Sequence, residues 1–217
     1  MFPVVWKSAK IVPVLKAGEK SDIASYRPVA IIPNFAKAFE FSIAPLIRSA
    51  FKPILDDEQH GCDQRRSTVT NLMCFTQYVN DALRKGYQVD VVYTDFSKAF
   101  DRIDHTILQS KLNNLDIRSY AVQLLLNYLS NRPNQVMYRR CLSTTFHSTS
   151  GVPQGPALGS PIFNIHVNDV NQFINSNILR YADDMKFFRA IMSQLDHEAL
   201  ESDLDDLLQW CNKINCT

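Results

Sequence analysis

Between two runs of strand-forming residues, at 181–188, the chain reads YADDMKFF. Successive strand residues point to opposite faces of a sheet. A strand running unbroken through Asp183 and Asp184 would therefore aim one carboxylate into the core, where an unpaired charge is very costly. The conflict eases if the pair sits at a hairpin tip, where aspartate is favoured and solvated. It also eases if a cation holds the pair in place.

A third carboxylate bears on the choice. VDVVYTD (89–95) is β-branched and reads as a buried strand, with Asp95 at its C-terminal rim. If that strand pairs beside the hairpin of residues 178–188, Asp95 and Asp183 converge. Three like charges at one place repel each other unless a divalent cation neutralises them. Carboxylate-only ligation suits Mg²⁺, which keeps several waters and takes substrate phosphates. Two such ions, about 3.5–4 Å apart, can clamp the attacking and leaving oxygens of an in-line phosphoryl displacement. The competing reading is a solvated turn, and the residues alone leave both open.

Two further stretches carry chemistry. GVPQGPALGSP (151–161) holds Gly151, Gly155 and Gly159, half of the six glycines in the chain, which allow unusual backbone angles and close backbone approach. Gln154 offers both a donor and an acceptor, so this loop could lie against a base pair or a sugar. Lys16 and Arg27 stand in a basic N-terminal segment: residues 1–52 carry eight Lys/Arg against Glu19, Asp22 and Glu40. A lysine point charge and an arginine fork both suit a triphosphate, though each taken alone reads first as a solvated surface charge. His60, His105, His147, His166 and His197 lack metal-ligand spacing, and neither a GxxxxGK[ST] loop nor a GxSxG turn occurs.

The spacing predicts an alternation of short elements. KIVPVLKAG and SYRPVAIIP read as extended segments, with Pro13 marking an edge or a bulge. Phe35, Phe39, Ile43 and Ile47 predict a helix over 34–51, which Pro45 should kink or shorten. Val69, Leu72, Met73, Thr76, Val79 and Leu83 predict another, started by Ser67 or Thr68. Helices follow near Leu108–Leu115 and Ala121–Leu129, then a hairpin from NQVMY and STTFHS. Ser160 and Pro161 read as the N-cap and first residue of a helix whose apolar face runs through Ile162, Phe163, Val167, Val170 and Ile174. ILRYA and MKFF are strands, and Leu200, Leu204, Leu207, Leu208 and Cys211 mark a last helix. The class is α+β: an antiparallel sheet with helices on one face.

Composition sets limits rather than identity. The 217 residues carry 23 basic and 22 acidic side chains, a net charge of +1, so no global basic signature points to nucleic acid. Residues 196–206 hold six acids and no base. Five scattered cysteines without a CxxC pair argue for an intracellular, reduced protein without a zinc knuckle. No apolar run approaches 18 residues, so no membrane partner is expected. Both ends read as cut from a longer, polyprotein-like chain.

In this order the sites resemble the reverse transcriptases of non-LTR retrotransposons, most closely the jockey-like elements of insects, over nearly the whole chain. WKSAKIVPVLKAG with SYRPVAIIPNFAKAFE resembles that family's opening fingers segment, and HGCDQRRSTVTNL its next block. VVYTDFSKAFDRIDH resembles motif A, GVPQGPALGSPIFNIHVNDV motif B, and YADDMKFF motif C. His60 and Cys62 stand where family members often have aromatic residues, and Asp63 where a basic one is common, which weakens the template contact expected there. Pro45, Pro156 and the Ser160–Pro161 pair also depart from the usual spelling.

The resemblance implies a right-hand polymerase with an antiparallel palm sheet backed by helices and no thumb. Fingers would take 1–88 and 106–150, and palm 89–105 and 151–217. It implies RNA-directed DNA polymerase activity: a primer 3′-hydroxyl attacks a dNTP on an RNA template with a DNA primer. Asp95, Asp183 and Asp184 would bind two Mg²⁺, or Mn²⁺, assisted by the Phe96 carbonyl. Phe100 matches a steric gate against the 2′-hydroxyl. Lys16 and Arg27 match triphosphate contacts, Gln154 and Gly155 contacts near the incoming nucleotide and template. Asp101 and Asp104 read as structural, capping or pairing. The parent element would act in nucleus and cytoplasm, with an endonuclease and a thumb beyond this segment. Two other readings remain: an inactive remnant that at most binds nucleic acid, and an RNA-synthesising polymerase, which Phe100 argues against.

Overall fold

The computed structural model describes residues 1–61, 65–115 and 117–215. It divides into two compact units, each assembled from two stretches of chain: residues 1–53 with 100–162, and residues 54–99 with 163–217. Cys62 and Asp63 lie outside the described residues.

In the first unit, β1 (Ala9–Leu15) pairs antiparallel with β2 (Tyr26–Ile31), Pro13 opposing Pro28. Neither proline has an N–H to give. On its other side β1 runs parallel to β4 (Pro133–Tyr138), but only from Ala9 to Ile11. Pro13 therefore lies past the end of that ladder, which is how a proline fits an otherwise central strand. The chain turns back from β4 into β5 (Cys141–Leu142) and β6 (Phe146–His147), the expected hairpin, both pairing with β4.

Helix α1 (Asn34–Phe51) runs unbroken through Pro45, against the expected kink. Pro45 removes the bond to the carbonyl of Phe41, yet both residues are exposed, so water can take that carbonyl. The buried stripe is also displaced by one residue from the expected Phe35–Phe39–Ile43 line. Ala36, Glu40, Ala44, Ile47 and Phe51 are buried, while Phe35 is 76% exposed. The edge-to-face packing of Phe2 on Phe39 and Tyr128 explains part of this shift, because it occupies the flank where larger side chains would go. Burial raises the Glu40 carboxyl above its ordinary range, opposed by hydrogen bonding and by the nearby Arg132 guanidinium. Helices α3 (His105–Asn114) and α4 (Ser119–Leu129) complete this unit, burying Leu108, Leu112, Leu125 and Leu129.

The second unit is a three-stranded antiparallel sheet in the order β3 (Gln88–Asp95), β8 (Asp184–Ile191), β7 (Asn177–Tyr181). On one face Phe188 receives the rings of Phe75 and Tyr78 from α2 (Thr68–Arg84) at 5.1 and 4.9 Å. Ser67 caps α2 through a reciprocal bond with Thr70. The apolar residues that mark α2 in the sequence, Val69, Leu72, Met73 and Leu83, are all more than half exposed. Their period identifies the helix but not its buried side. On the opposite face lies α6 (Gln194–Lys213), which buries Leu200, Leu207 and Trp210. Between the two units in sequence, α5 (Gly159–His166) begins one residue before the expected cap Ser160. No helix among the described residues is long and apolar enough to cross a membrane.

Asp196 ties α6 to the sheet. Its carboxylate accepts from Arg189 at 3.1 Å and from the Met192 and Ser193 amides at 3.1 and 3.0 Å. The Arg189 bond, then the amides, hold its pKa below the ordinary value. A carboxyl whose pKa falls on folding adds stability above its unfolded pKa and loses it as pH falls through the folded one. We expect Asp196→Asn to lower the melting temperature at pH 7, with the gap narrowing below about pH 4, as read by thermal melting across pH.

Candidate active site

The YADD stretch makes the turn that its charges demand. Tyr181 pairs with Asp184, leaving Ala182 and Asp183 as a two-residue loop between β7 and β8. Ala182 takes a positive φ of 56°, as the first central residue of a II′ turn requires. Asp184 opens β8 and lies directly opposite Asp95, the last residue of β3. Directly opposed residues share a face, with Cβ atoms about 5 Å apart. Asp95 and Asp184 are exposed and Asp183 half-buried. Asp184 thus faces Asp95, and Asp183 sits one residue away on the turn.

The packing explains why these carboxylates stay at the surface. Met185, Phe187 and Phe188 bury the strand immediately beyond Asp184. Phe96, next after Asp95, is buried with its ring 6.0 Å from that of Trp210. Trp210 in turn donates to Asp169. Asp95 and Asp184 are therefore each followed by an apolar anchor.

Among the described residues, no group of three or more His, Cys, Asp or Glu is placed so that it could hold a metal ion by itself. Carboxylate oxygens are nonetheless the donor type that a hard divalent cation prefers. Magnesium is usually bound through one or two carboxylates, with waters and substrate phosphates filling the rest. Asp95 and Asp184, with Asp183 beside them on the turn, present oxygens of that type at the surface.

The turn is braced by a segment whose role the sequence did not reveal. Residues 58–60 run along the outer edge of β7, where Arg180 donates to the Glu58 carbonyl and His60 to the Arg180 carbonyl, both at 2.9 Å. Gln59, buried at 3% exposure, uses its Oε1 to accept from the Ala182 amide at 3.1 Å and the Gly61 amide at 2.8 Å. A Cβ on Gly61 would collide with the backbone nitrogen of Ala182. Asn164 donates to the Gly61 carbonyl at 3.0 Å. The buried Arg180 guanidinium reaches the Val167 carbonyl at 2.8 Å and Asp56 at 3.4 Å. His60 is buried, with Nδ1 2.8 Å from Thr70. The quoted block HGCDQRRSTVTNL opens with His60 and Gly61 but leaves out Gln59, and nothing in it signalled this role.

The first unit holds the remaining candidates. Val14 opposes Arg27, and Lys16 lies two residues beyond Val14, so Lys16 and Arg27 belong to one hairpin face. Lys16 donates its amide to the Ser25 carbonyl at 2.9 Å, and both side chains are exposed. Gln154 bridges to Val29, its carbonyl accepting from the Ala30 amide at 2.8 Å. Its side-chain amide donates to Asp101 at 2.9 Å, so Asp101 orients Gln154. Gly155 follows with φ 109°, which only glycine adopts freely. The half-buried Phe100 accepts the Val152 amide on its carbonyl at 2.7 Å, stitching this loop to the segment after β3. Asp104 caps α3 by accepting from Thr106 and Ile107. Ile11, Pro28, Ala30, Asp101 and Gln154 line a cleft of about 370 Å³. Pro28 and Ala30 alternate with Arg27, so the cleft lies on the sheet face opposite Lys16 and Arg27.

Comparison with known proteins gives a consistent result. The family described as reverse transcriptase (RNA-dependent DNA polymerase) matches residues 15–217. The probable RNA-directed DNA polymerase from transposon BS of Drosophila melanogaster is 30% identical over 98% of this chain. The RNA-directed DNA polymerase from mobile element jockey of Drosophila funebris is 27% identical over 99% of it. The chain spans about a quarter of the length of these relatives (25% in each case). Among solved structures, apo telomerase from Candida tropicalis superposes with a TM-score of 0.68 at 13% identity, over 97% of this chain and 43% of that one. That likeness speaks for the polymerase fold alone.

We expect Gly61→Ala to destabilise the chain by about 1–3 kcal/mol through overpacking. Gln59→Met, which strands the buried Gly61 amide and the half-buried Ala182 amide, should cost about as much. Denaturant unfolding checks both, and midpoints equal to the parent's would dismiss the brace.

Proposed function

The chain belongs to the reverse transcriptase (RNA-dependent DNA polymerase) family, and from that premise we propose that it adds dNTPs to a primer 3′-hydroxyl on an RNA template. The observation that carries this reading is the register placing Asp95 opposite Asp184, with Asp183 on the adjoining turn. We propose a right-hand arrangement with fingers at 1–88 and 106–150 and palm at 89–105 and 151–217, acting inside the cell between cytoplasm and nucleus.

Asp95, Asp183 and Asp184, with the Phe96 carbonyl, would hold two Mg²⁺, which Mn²⁺ could replace. When bound, such ions stabilise the attacking and leaving oxygens of an in-line displacement. The other residues bind and orient. Lys16 and Arg27, free of competing burial on one hairpin face, neutralise the triphosphate as point charge and fork. The Phe100 ring occupies the space a ribose 2′-hydroxyl would need. Gln154, its amide fixed by Asp101, presents one orientation to the nucleotide, and Gly155 lets backbone approach closely. Pyrophosphate leaves.

Primer extension on an RNA template with dNTPs and Mg²⁺ tests this. We expect Asp183→Asn to reduce the rate by roughly a thousandfold or more, and near-parental extension would refute the assignment. An unsubstituted chain that binds RNA but incorporates nothing would favour the inactive, binding-only reading. Phe100→Ala should admit ribonucleotides, and an unchanged sugar preference would remove Phe100 from the gate.

A further inference from the structure

The hairpin joining β4 and β5 contains the least comfortable backbone in the first unit. Tyr138 pairs with Cys141, so Arg139 and Arg140 alone make the turn. Both have positive φ, 48° and 68°. A two-residue turn of this kind selects Asn-Gly or Asp-Gly, because a side chain with a Cβ is disfavoured in the left-handed region. Two adjacent arginines are a poor choice for the turn itself.

Packing does not require them either. Both are exposed, and among the described residues neither forms an ion pair. The Arg139 guanidinium stands 5.3 Å from the centre of the Tyr138 ring, which is itself 55% exposed. Solubility is no explanation, since Asn, Asp or Gly would also keep the tip wet without the backbone cost. A strained pair retained at a surface points to a function for its side chains.

The surroundings indicate the partner. Phe146, 44% exposed, opposes Asn134, and Asn134, Val136 and Tyr138 alternate onto one face of β4. Phe146 and Tyr138 therefore present two rings on the same side of the hairpin, separated by four strand residues, roughly 13 Å. An exposed ring beside a guanidinium, with a second exposed ring further along the same side, forms a platform for unpaired bases with their phosphates. A duplex, whose bases are stacked on each other, could use only the charges.

We propose that the Arg139–Arg140 turn, with Tyr138 and Phe146, is a docking surface for single-stranded RNA. The choice of RNA rests on the reverse transcriptase reading; the docking itself rests on the turn. The two guanidinium groups take backbone phosphates, and the rings stack against bases.

The test pairs stability with affinity. Arg139→Asn combined with Arg140→Gly gives the turn its preferred residues and removes both charges. A double Lys variant keeps the charges. Binding of a fluorescent, mixed-sequence single-stranded RNA is measured by anisotropy across salt concentrations, with duplex DNA alongside, and each protein is melted. The Asn-Gly variant should melt a few degrees higher, which excludes misfolding as the cause of any loss. It should bind the RNA about tenfold more weakly at low salt, with a log–log salt slope shallower by roughly 1.4, two phosphates at about 0.7 each. The Lys variant should keep the parental slope. Unchanged RNA affinity and slope, or no rise in melting temperature, would overturn the proposal, as would tighter parental binding to the duplex. If the unsubstituted chain bound no RNA at all, the reverse transcriptase reading of its partner would fail first.

Discussion

Two carboxylates face each other across a β-ladder, and most of the second unit can be understood as the means of keeping them there. Like charges directly opposed in a sheet are unfavourable. In water-like surroundings the cost at about 4 Å is only about 1 kcal/mol. Asp95 and Asp184 are both exposed, so the repulsion stays near that lower limit. The burial of Met185, Phe187, Phe188 and Phe96 beside them outweighs it several times over. The fold can therefore hold a charged pair in register with its own packing.

The same logic of a reactive group on a braced support recurs in the first unit. Gln154 is oriented by Asp101, and its loop is stitched to the segment after β3 through Phe100, Ile103 and Gly151. Gly151, at φ 79°, lies so close to Asp101 that a Cβ would meet its carbonyl oxygen at 2.7 Å. In the second unit, Gln59 and Gly61 do for the Ala182–Asp183 turn what Asp101 does for Gln154. In both cases a side chain that touches no substrate sets the geometry of one proposed to do so, which is how positioning is obtained from a scaffold.

Local pattern made the elements legible and left their contacts hidden. The strand over 89–95 follows from its β-branched residues, the hairpin at 178–188 from the strand-formers flanking the Asp pair, and the last helix from helical period; the first two are where the carboxylates sit. The buried face of α1 was misread because small Ala36 and Ala44 and a charged Glu40 occupy it, residues that an apolar count ignores. In α2 the largest apolar side chains point outward, so period located the helix without its packing side. Pro45 did not break its helix because the carbonyl it strands is on the wet side. The brace from Gln59 was invisible because it depends on a contact between residues 123 apart, and no local spacing encodes that.

Titration of the protein with Mn²⁺, followed by paramagnetic broadening of assigned backbone amides, bears most directly on the central claim. Broadening centred on Asp95, Asp183 and Asp184, and abolished by excess chelator, is the result expected. Amides at the turn that stay sharp at millimolar Mn²⁺, or broadening centred on another part of the chain, would contradict it.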